Sequence, residues 1–296
     1  MSAKYAIRRQ YAIKEIVEEL RVSSQNQPLS PTFQTTLAFT ETFMLTQPPP
    51  SPLTTTGATK TLRIAVLDSS FNPPTKAHLQ LLLKSVNTHA SQVDRILMME
   101  SLAYEIHDKY SKEAVSPAIA HTLQNIAVGI TSSSRFIDKP DAISHSLSSR
   151  NQPPPSSSHS SPPLTLYFIM GYDTLIRLFD PRYYTDMHKE LSLFFATNYV
   201  IYANRAGFEP QEIQQFFKTN EAVQCFRHKI WRVESEESVA ALSSTRVRRL
   251  LNGWKQEEEN QIDDAGVKIK GLLYEHCPAS VADYMLKENL YWNQKL

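Results

Sequence analysis

The sequence predicts an α/β fold: a doubly wound parallel sheet of about five strands with flanking helices. Three observations carry that expectation. From Leu62 onward, short apolar runs of strand length alternate with segments of helical period, the pattern of βαβ units. The first of these runs, Leu62–Leu67, reads as a buried-type strand, as expected where a sheet is covered on both faces. A chain of 296 residues with 41% apolar content is also long enough to bury a large core.

The elements follow in order. Residues 4–21 place Ala6, Tyr11, Ile13, Ile16, Val17 and Leu20 at helical spacing, an amphipathic helix. About forty residues without clear period come next, ending in Gln-Pro-Pro-Pro-Ser-Pro, a linker composition. Residues 1–60 are therefore read as an N-terminal helix and linker, and 61–296 as the main domain. After strand 62–67 come a helix over 75–89, a strand over 95–99 and a helix over about 117–130. A strand at 164–170, short helices over 172–189, a strand at 199–202, a helix near 210–218 and a strand at 229–233 follow. Helices at 245–252 and 278–290 complete the order. Residues 141–163 hold nine Ser and five Pro, too little apolar surface to offset the entropy of ordering. A disordered insertion at about 139–163 is expected.

Composition removes several function classes. With 31 Lys and Arg against 30 Asp and Glu, a nucleic-acid-coating surface is not expected, since such surfaces need a basic excess. Cys225 and Cys277 stand far apart with no second Cys or paired His at ligand spacing, so no metal site or disulfide framework is read. No apolar run reaches about 18 residues, and the start Met-Ser-Ala-Lys-Tyr has no signal core. The expectation is a soluble cytoplasmic or nuclear protein without a membrane partner. The seven glycines, where about twenty are usual, stand too far apart for G-x-G, and Gly266-x-x-x-x-Gly271 runs into Leu272. Neither the dinucleotide fingerprint nor the P-loop is present.

In a parallel sheet, ligands sit beyond the carboxyl ends of the strands, and there the chain is informative. The first strand runs into Asp68-Ser69-Ser70-Phe71-Asn72-Pro73-Pro74-Thr75-Lys76-Ala77-His78. Thr-x-x-His places a hydroxyl and an imidazole on the opening turn of a helix, where free N–H groups already favour an anion. Farther on, Leu242-Ser243-Ser244-Thr245-Arg246-Val247-Arg248 caps a helix with hydroxyls and projects Arg248 from its first turn, a fork suited to phosphate oxygens. Gly171-Tyr172-Asp173 follows the strand at 164–170, and Asn204-Arg205-Ala206-Gly207 follows the strand at 199–202.

The first string resembles the G-x-F-x-P-x-(H/T)-x-x-H signature of the nucleotidylyltransferase superfamily, and the second resembles the I-S-S-T-x-x-R element of its adenylyltransferases for nicotinamide or nicotinate mononucleotide. Gly171-Tyr172-Asp173 is similar to their G-x-D element and Arg205-Ala206-Gly207 to their R-x-G loop. The resemblance covers about 62–290 and is greatest to the fungal branch of the nicotinamide mononucleotide adenylyltransferases. It implies a Rossmann-like domain that joins ATP, as its Mg²⁺ complex, to nicotinamide mononucleotide and releases NAD⁺ and pyrophosphate.

By resemblance, His78, Lys76 and Arg248 are the catalytic group. Ser70, Phe71, Thr75, His78, Ser243, Ser244, Thr245 and Arg248 bind ATP. Ser69, Asn72, Gly171, Asp173, Tyr184 and Arg205 bind the nicotinamide nucleotide, with Tyr184, three residues after Pro181, stacking on the ring. A second stacking aromatic is sought at Phe136 or Tyr104. The chain departs from the pattern at Ser69 and Ala77, where many relatives have Gly, and at Thr75, where bacterial ones have His. Asp108–Lys112 only faintly echoes the family's basic loop, and Thr122, after His121, stands where an Arg is expected. Asp68 sets a carboxylate beside the triphosphate site, which calls for a bridging Mg²⁺ or a side chain turned away. The resemblance leaves room for a homo-oligomer. These departures keep two alternatives open: an ATP-binding protein that hydrolyses ATP or serves another acceptor, and a regulatory interaction protein that retains the fold.

Overall fold

The computed structural model describes residues 33–34, 61–69, 71–89, 95–98, 126–128, 130–131, 135–150, 163–204, 207–234, 242–258, 265–288 and 290–291. The helix expected over 4–21 lies outside them, as do Ser70, Tyr104, the segment 108–112, His121, residues 151–162 and Arg205.

Six parallel strands form the main sheet: β1 Leu62–Leu67, β2 Arg95–Met98, β3 Ile126–Val128, β4 Leu164–Gly171, β5 Tyr199–Ala203 and β6 Ile230–Val233. Their spatial order is β3-β2-β1-β4-β5-β6, that of a doubly wound sheet, which reverses direction of growth between β1 and β4. That central pair is in register from Leu62 opposite Leu164 to Leu67 opposite Ile169. The expected parallel sheet with flanking helices is present, but with six strands among the described residues instead of about five. The extra strand, β3, falls where a helix over about 117–130 is expected; Ile126, Val128 and Ile130 repeat every second residue, the strand period. Ile130–Thr131 continues as a partner for Phe33–Gln34, antiparallel, within the segment read as linker.

The central strands are largely apolar because alternate residues enter two different cores. Ile64, Val66, Leu166, Phe168, Met170, Val200 and Tyr202 face one side; Ala65, Leu67, Tyr167, Ile169, Ile201 and Ala203 face the other. The second side is covered by α1, Lys76–Thr88, through Leu79, Leu82 and Val86. The first is covered by α2, Lys139–Arg150, with Ile143; α3, Tyr172–Leu178, with Leu175 and Leu178; α4, Met187–Thr197, with Leu191, Phe194 and Phe195; and α5, Pro210–Thr219, with Ile213. α2 corrects the expectation of disorder from about 139 onward. Pro140 sits in the first turn, where its missing N–H costs nothing, and Ala142 and Ile143 are both 2% exposed, so this stretch does bury apolar surface.

After the short helix α6, Glu221–Cys225, and strand β6, the chain ends in three helices: α7 Ser244–Glu258, α8 Ala265–His276 and α9 Ala279–Lys287. Their third core contains Val247, Leu251, Ile269, Leu273, Cys277, Val281 and Met285. α8 is absent from the sequence reading, and both glycines of the Gly266–Gly271 pair lie within it.

One buried polar side chain ties the layers together. Asn198 is 3% exposed; its Oδ1 accepts from Leu166 N at 3.3 Å and its Nδ2 donates to Phe194 O at 2.8 Å. It closes the carboxyl end of α4 and satisfies a backbone N–H of β4 that β5 begins too late to reach. An Asn198→Leu substitution strands the buried Leu166 N–H, while Phe194 O keeps the backbone N–H of residue 198, and a loss of about 2 kcal/mol is expected, measured by urea unfolding. A change below about 0.5 kcal/mol, the scale of a neutral surface substitution, contradicts this role.

Candidate active site

The carboxyl ends of β1 and β4 define the crevice. Leu67, Asp68 and Ser69 form one wall, Met170, Gly171 and Thr174 the facing one, and Ala77, His78 and Leu81 of α1 the third. Ala203, Asn204 and Leu242 close it.

The loop between β1 and α1 is held by its own side chains. Phe71 has a φ of 44°, a conformation costly for a bulky residue. Its ring is 8% exposed in the α1 core and lies 5.1 Å from the His78 imidazole, centroid to centroid. The Asn72–Pro73 peptide is cis. Thr75, wholly buried, is the N-cap of α1 and forms a capping box with His78 at the N3 position. Thr75 N–H donates to His78 Nδ1 at 3.1 Å, and Thr75 Oγ1 lies 2.9 Å from the same nitrogen. An Nδ1 that accepts a backbone N–H must present its lone pair, so the proton of the neutral ring is on Nε2.

That nitrogen points at the crevice, where Ser69 Oγ is 3.1 Å away. As a donor, Nε2–H cannot take a proton from Ser69, so the pair is no nucleophile and base. It is a hydrogen-bond donor aimed at an oxygen, with the Ser69 hydroxyl in the position a ligand oxygen would take.

The second phosphate-type element meets the first. Ser243 caps α7, accepting from Arg246 N at 3.2 Å. Ser244 Oγ donates to Pro73 O at 2.8 Å, and the Arg248 guanidinium donates to Asn72 O and, at 3.2 Å, to Thr245 Oγ1. Elements about 170 residues apart are thus locked at two consecutive carbonyls. Neither α1 nor α7 has an acidic residue in its first turn, so both helix N-termini keep their attraction for anions. The Asp68 carboxylate does not turn into solvent: it is paired with Lys139 of α2.

Several expected residues lie elsewhere. Lys76 precedes His78 by two residues, about 200° around the helix, and its ammonium donates to Tyr274 O of α8; it anchors the C-terminal helices rather than the crevice. Tyr184 packs against the first core, and its hydroxyl donates to Leu178 O, so it is a core residue and does not line the crevice. Burial pushes its phenol well above the usual tyrosine range. Asp173, on the first turn of α3, lies 3.8 Å from Arg177, and the wall beside it is Gly171 and Thr174. Phe136 is also in the core, edge-on to Phe168 at 6.0 Å, with Lys139 above its ring. Asn72 is exposed and contributes its carbonyl, as above.

Sequence reasoning did not single out Thr174, Asn204 or Lys139. Thr174 directly follows the motif residue Asp173 and Asn204 directly precedes Arg205, whereas Lys139 carries no local signal. Ser69 and Ala77, the two departures from glycine, both line the crevice.

No family model matches the chain. A Schizosaccharomyces pombe protein whose name reads "Putative nicotinamide mononucleotide adenylyltransferase" is 32% identical over 161 residues, 48% of this chain and 53% of that one. The chain therefore spans about half the length of the known relative it matches. Among solved structures, a Plasmodium falciparum nicotinic acid mononucleotide adenylyltransferase complexed with APC aligns over 78% of this chain and 97% of its own, at 20% identity and a TM-score of 0.46. The same protein complexed with NaAD gives 18% identity, 78% and 97% coverage and a TM-score of 0.45. Superpositions this loose carry no conclusion. In its motifs and across those 161 aligned residues, the chain resembles the nicotinamide mononucleotide adenylyltransferases of the nucleotidylyltransferase superfamily.

Proposed function

We propose that the chain transfers the adenylyl group of MgATP to nicotinamide mononucleotide, forming NAD⁺ and pyrophosphate. The observation that carries this reading is the joining of the two motif elements, Ser244 Oγ on Pro73 O at 2.8 Å with Arg248 on Asn72 O, beside a His78 Nε2–H that faces the crevice. A loop and two helix N-termini meet there, beside a donor fixed in advance.

In this reaction an oxygen of the mononucleotide's 5′-phosphate attacks the α-phosphorus of ATP in line. The new P–O bond forms as the bond from the α-phosphorus to its bridging oxygen breaks, and pyrophosphate leaves with that electron pair. The attacking phosphate is already ionised, so no protein base is needed. The protein contributes position and charge stabilisation. His78 Nε2–H donates to the α-phosphate or bridging oxygen as charge grows there, displacing Ser69 Oγ. The N-terminal amides of α7, the Thr245 hydroxyl and Arg248 hold the β- and γ-phosphates. Ser69, Gly171 and Thr174 border the mononucleotide, and the apolar wall of Ile169, Met170 and Leu242 takes a base. Arg205 and Ser70 keep the roles that the resemblance implies. Mg²⁺ enters with ATP as part of the substrate, screening the triphosphate charge. Among the described residues no three His, Cys, Asp or Glu side chains converge, so no protein metal cage is part of the proposal.

The test is NAD⁺ formation by the purified chain from MgATP and nicotinamide mononucleotide, with nicotinate mononucleotide as the competing acceptor. NAD⁺ formation with the nicotinamide form preferred is the expected result; pyrophosphate release with neither acceptor contradicts the reading. His78→Ala is expected to lower kcat by about 10²-fold or more, the scale of one lost transition-state donor, and, because it also strands the buried Thr75 N–H, to lower the thermal midpoint while the chain still folds, as circular dichroism reads. A full rate in that variant removes His78 from the reaction.

Because Lys76 faces Tyr274, Lys76→Met is expected to hold kcat/KM within about threefold of the parent, less than 1 kcal/mol of transition-state binding, and to lower thermal stability. A loss as large as that of His78→Ala would return Lys76 to the phosphates.

A further inference from the structure

Asp68 is the residue immediately after β1, and it lines the crevice with Ser69 and His78. A bare carboxylate there opposes a polyphosphate with a like charge, and in a half-buried place that repulsion is only partly screened. The structure answers it with Lys139, the first residue of α2, whose ammonium donates to Asp68 Oδ2. The Lys139 and Asp68 side chains are 10% and 20% exposed, so water does little to weaken the pair. The ammonium is also held 4.4 Å from the centre of the Phe136 ring, and α2 is anchored below it by Ala142 and Ile143. Lys139 is not part of the crevice wall. It reaches the site only through Asp68.

We infer that Lys139 is a positioning residue for the phosphate site: by neutralising and holding the Asp68 carboxylate, it makes the crevice able to accept a polyphosphate. The inference rests on the proposed reading of the crevice as a triphosphate site. It makes the helix that leads into the Ser/Pro segment part of the site's electrostatics. Removing the lysine alone leaves an uncompensated carboxylate at the crevice, the costly way to break a buried pair, whereas removing both charges does not.

The experiment measures binding of inorganic triphosphate, without Mg²⁺ and at constant ionic strength, to the full chain by calorimetry. Circular dichroism and the thermal midpoint monitor the fold. Lys139→Met is expected to weaken binding by about tenfold or more, the scale of one nearby unpaired charge. Lys139→Arg is expected to stay within about threefold, since the charge remains. The double variant Asp68→Asn/Lys139→Met should recover most of the lost affinity. If Lys139→Met does not fold, Asp68→Asn alone decides: with the ammonium kept and the carboxylate gone, triphosphate should bind more tightly than in the parent.

Equal binding by parent and Lys139→Met overturns the inference. So does a double variant as weak as Lys139→Met, or an Asp68→Asn variant with unchanged or weaker affinity. NAD⁺ formation is assayed separately. A parent chain that binds triphosphate and makes no NAD⁺ overturns the proposed reaction while leaving this inference standing; a parent that binds no triphosphate overturns both.

Discussion

The backbone N–H of Thr75 has no access to water and finds its acceptor in the His78 ring nitrogen at 3.1 Å. The requirement is an ordinary one, since a buried N–H left without a partner costs about 1–3 kcal/mol, yet much of the site follows from it. With Nδ1 committed to the helix cap, the imidazole is fixed in orientation, its proton is placed on Nε2, and that proton faces the crevice. The cap that starts α1 and the donor that faces the crevice are therefore one interaction, and it cannot be removed from the site without loosening the helix that supports the second core.

The same economy governs the other half of the crevice. Ser244 and Arg248 engage consecutive carbonyls of the loop that carries His78, so the position of α7 sets the position of the loop, and through Lys76 and Tyr274 the C-terminal helices grip the start of α1 from behind. Glycine-rich cradles work by letting backbone approach phosphate closely. This chain, with seven glycines in 296 residues, instead joins two helix N-termini through one loop, beside a ring N–H that faces the crevice. Ser69 and Ala77 stand where the resembled motif has Gly, and Ser69 Oγ takes the hydrogen bond of His78 Nε2.

Leu62–Leu67 matches β1 to the residue because a short apolar run broken only by Arg63, and ended by Asp68 and two serines, has little else to be. Ile126–Val128 is too short for its period to be distinguished from that of the helix expected around it. Motif residues were readable where backbone chemistry fixes them, as with Thr75, His78 and Ser243 at helix caps. They were misread where only distance along the chain spoke for them. Tyr184 stands at the expected interval from Pro181, but its hydroxyl is drawn to the free carbonyl of Leu178 at the end of α3. Lys76 belongs to the motif string but leaves the helix on the far side. The Lys139–Asp68 pair joins residues 71 positions apart, and nothing local in either segment announces it.

The central claim is that His78 Nε2 and the N-terminus of α7 bound one anion site, and a crystal structure of the chain with a non-hydrolysable MgATP analogue tests it most directly. The account expects an α-phosphate or bridging oxygen within hydrogen-bond distance of His78 Nε2, with Ser69 Oγ displaced from that nitrogen, and the terminal phosphates against the Ser244–Arg248 turn. An analogue bound with Nε2 still on Ser69, or with its phosphates away from α7, contradicts it.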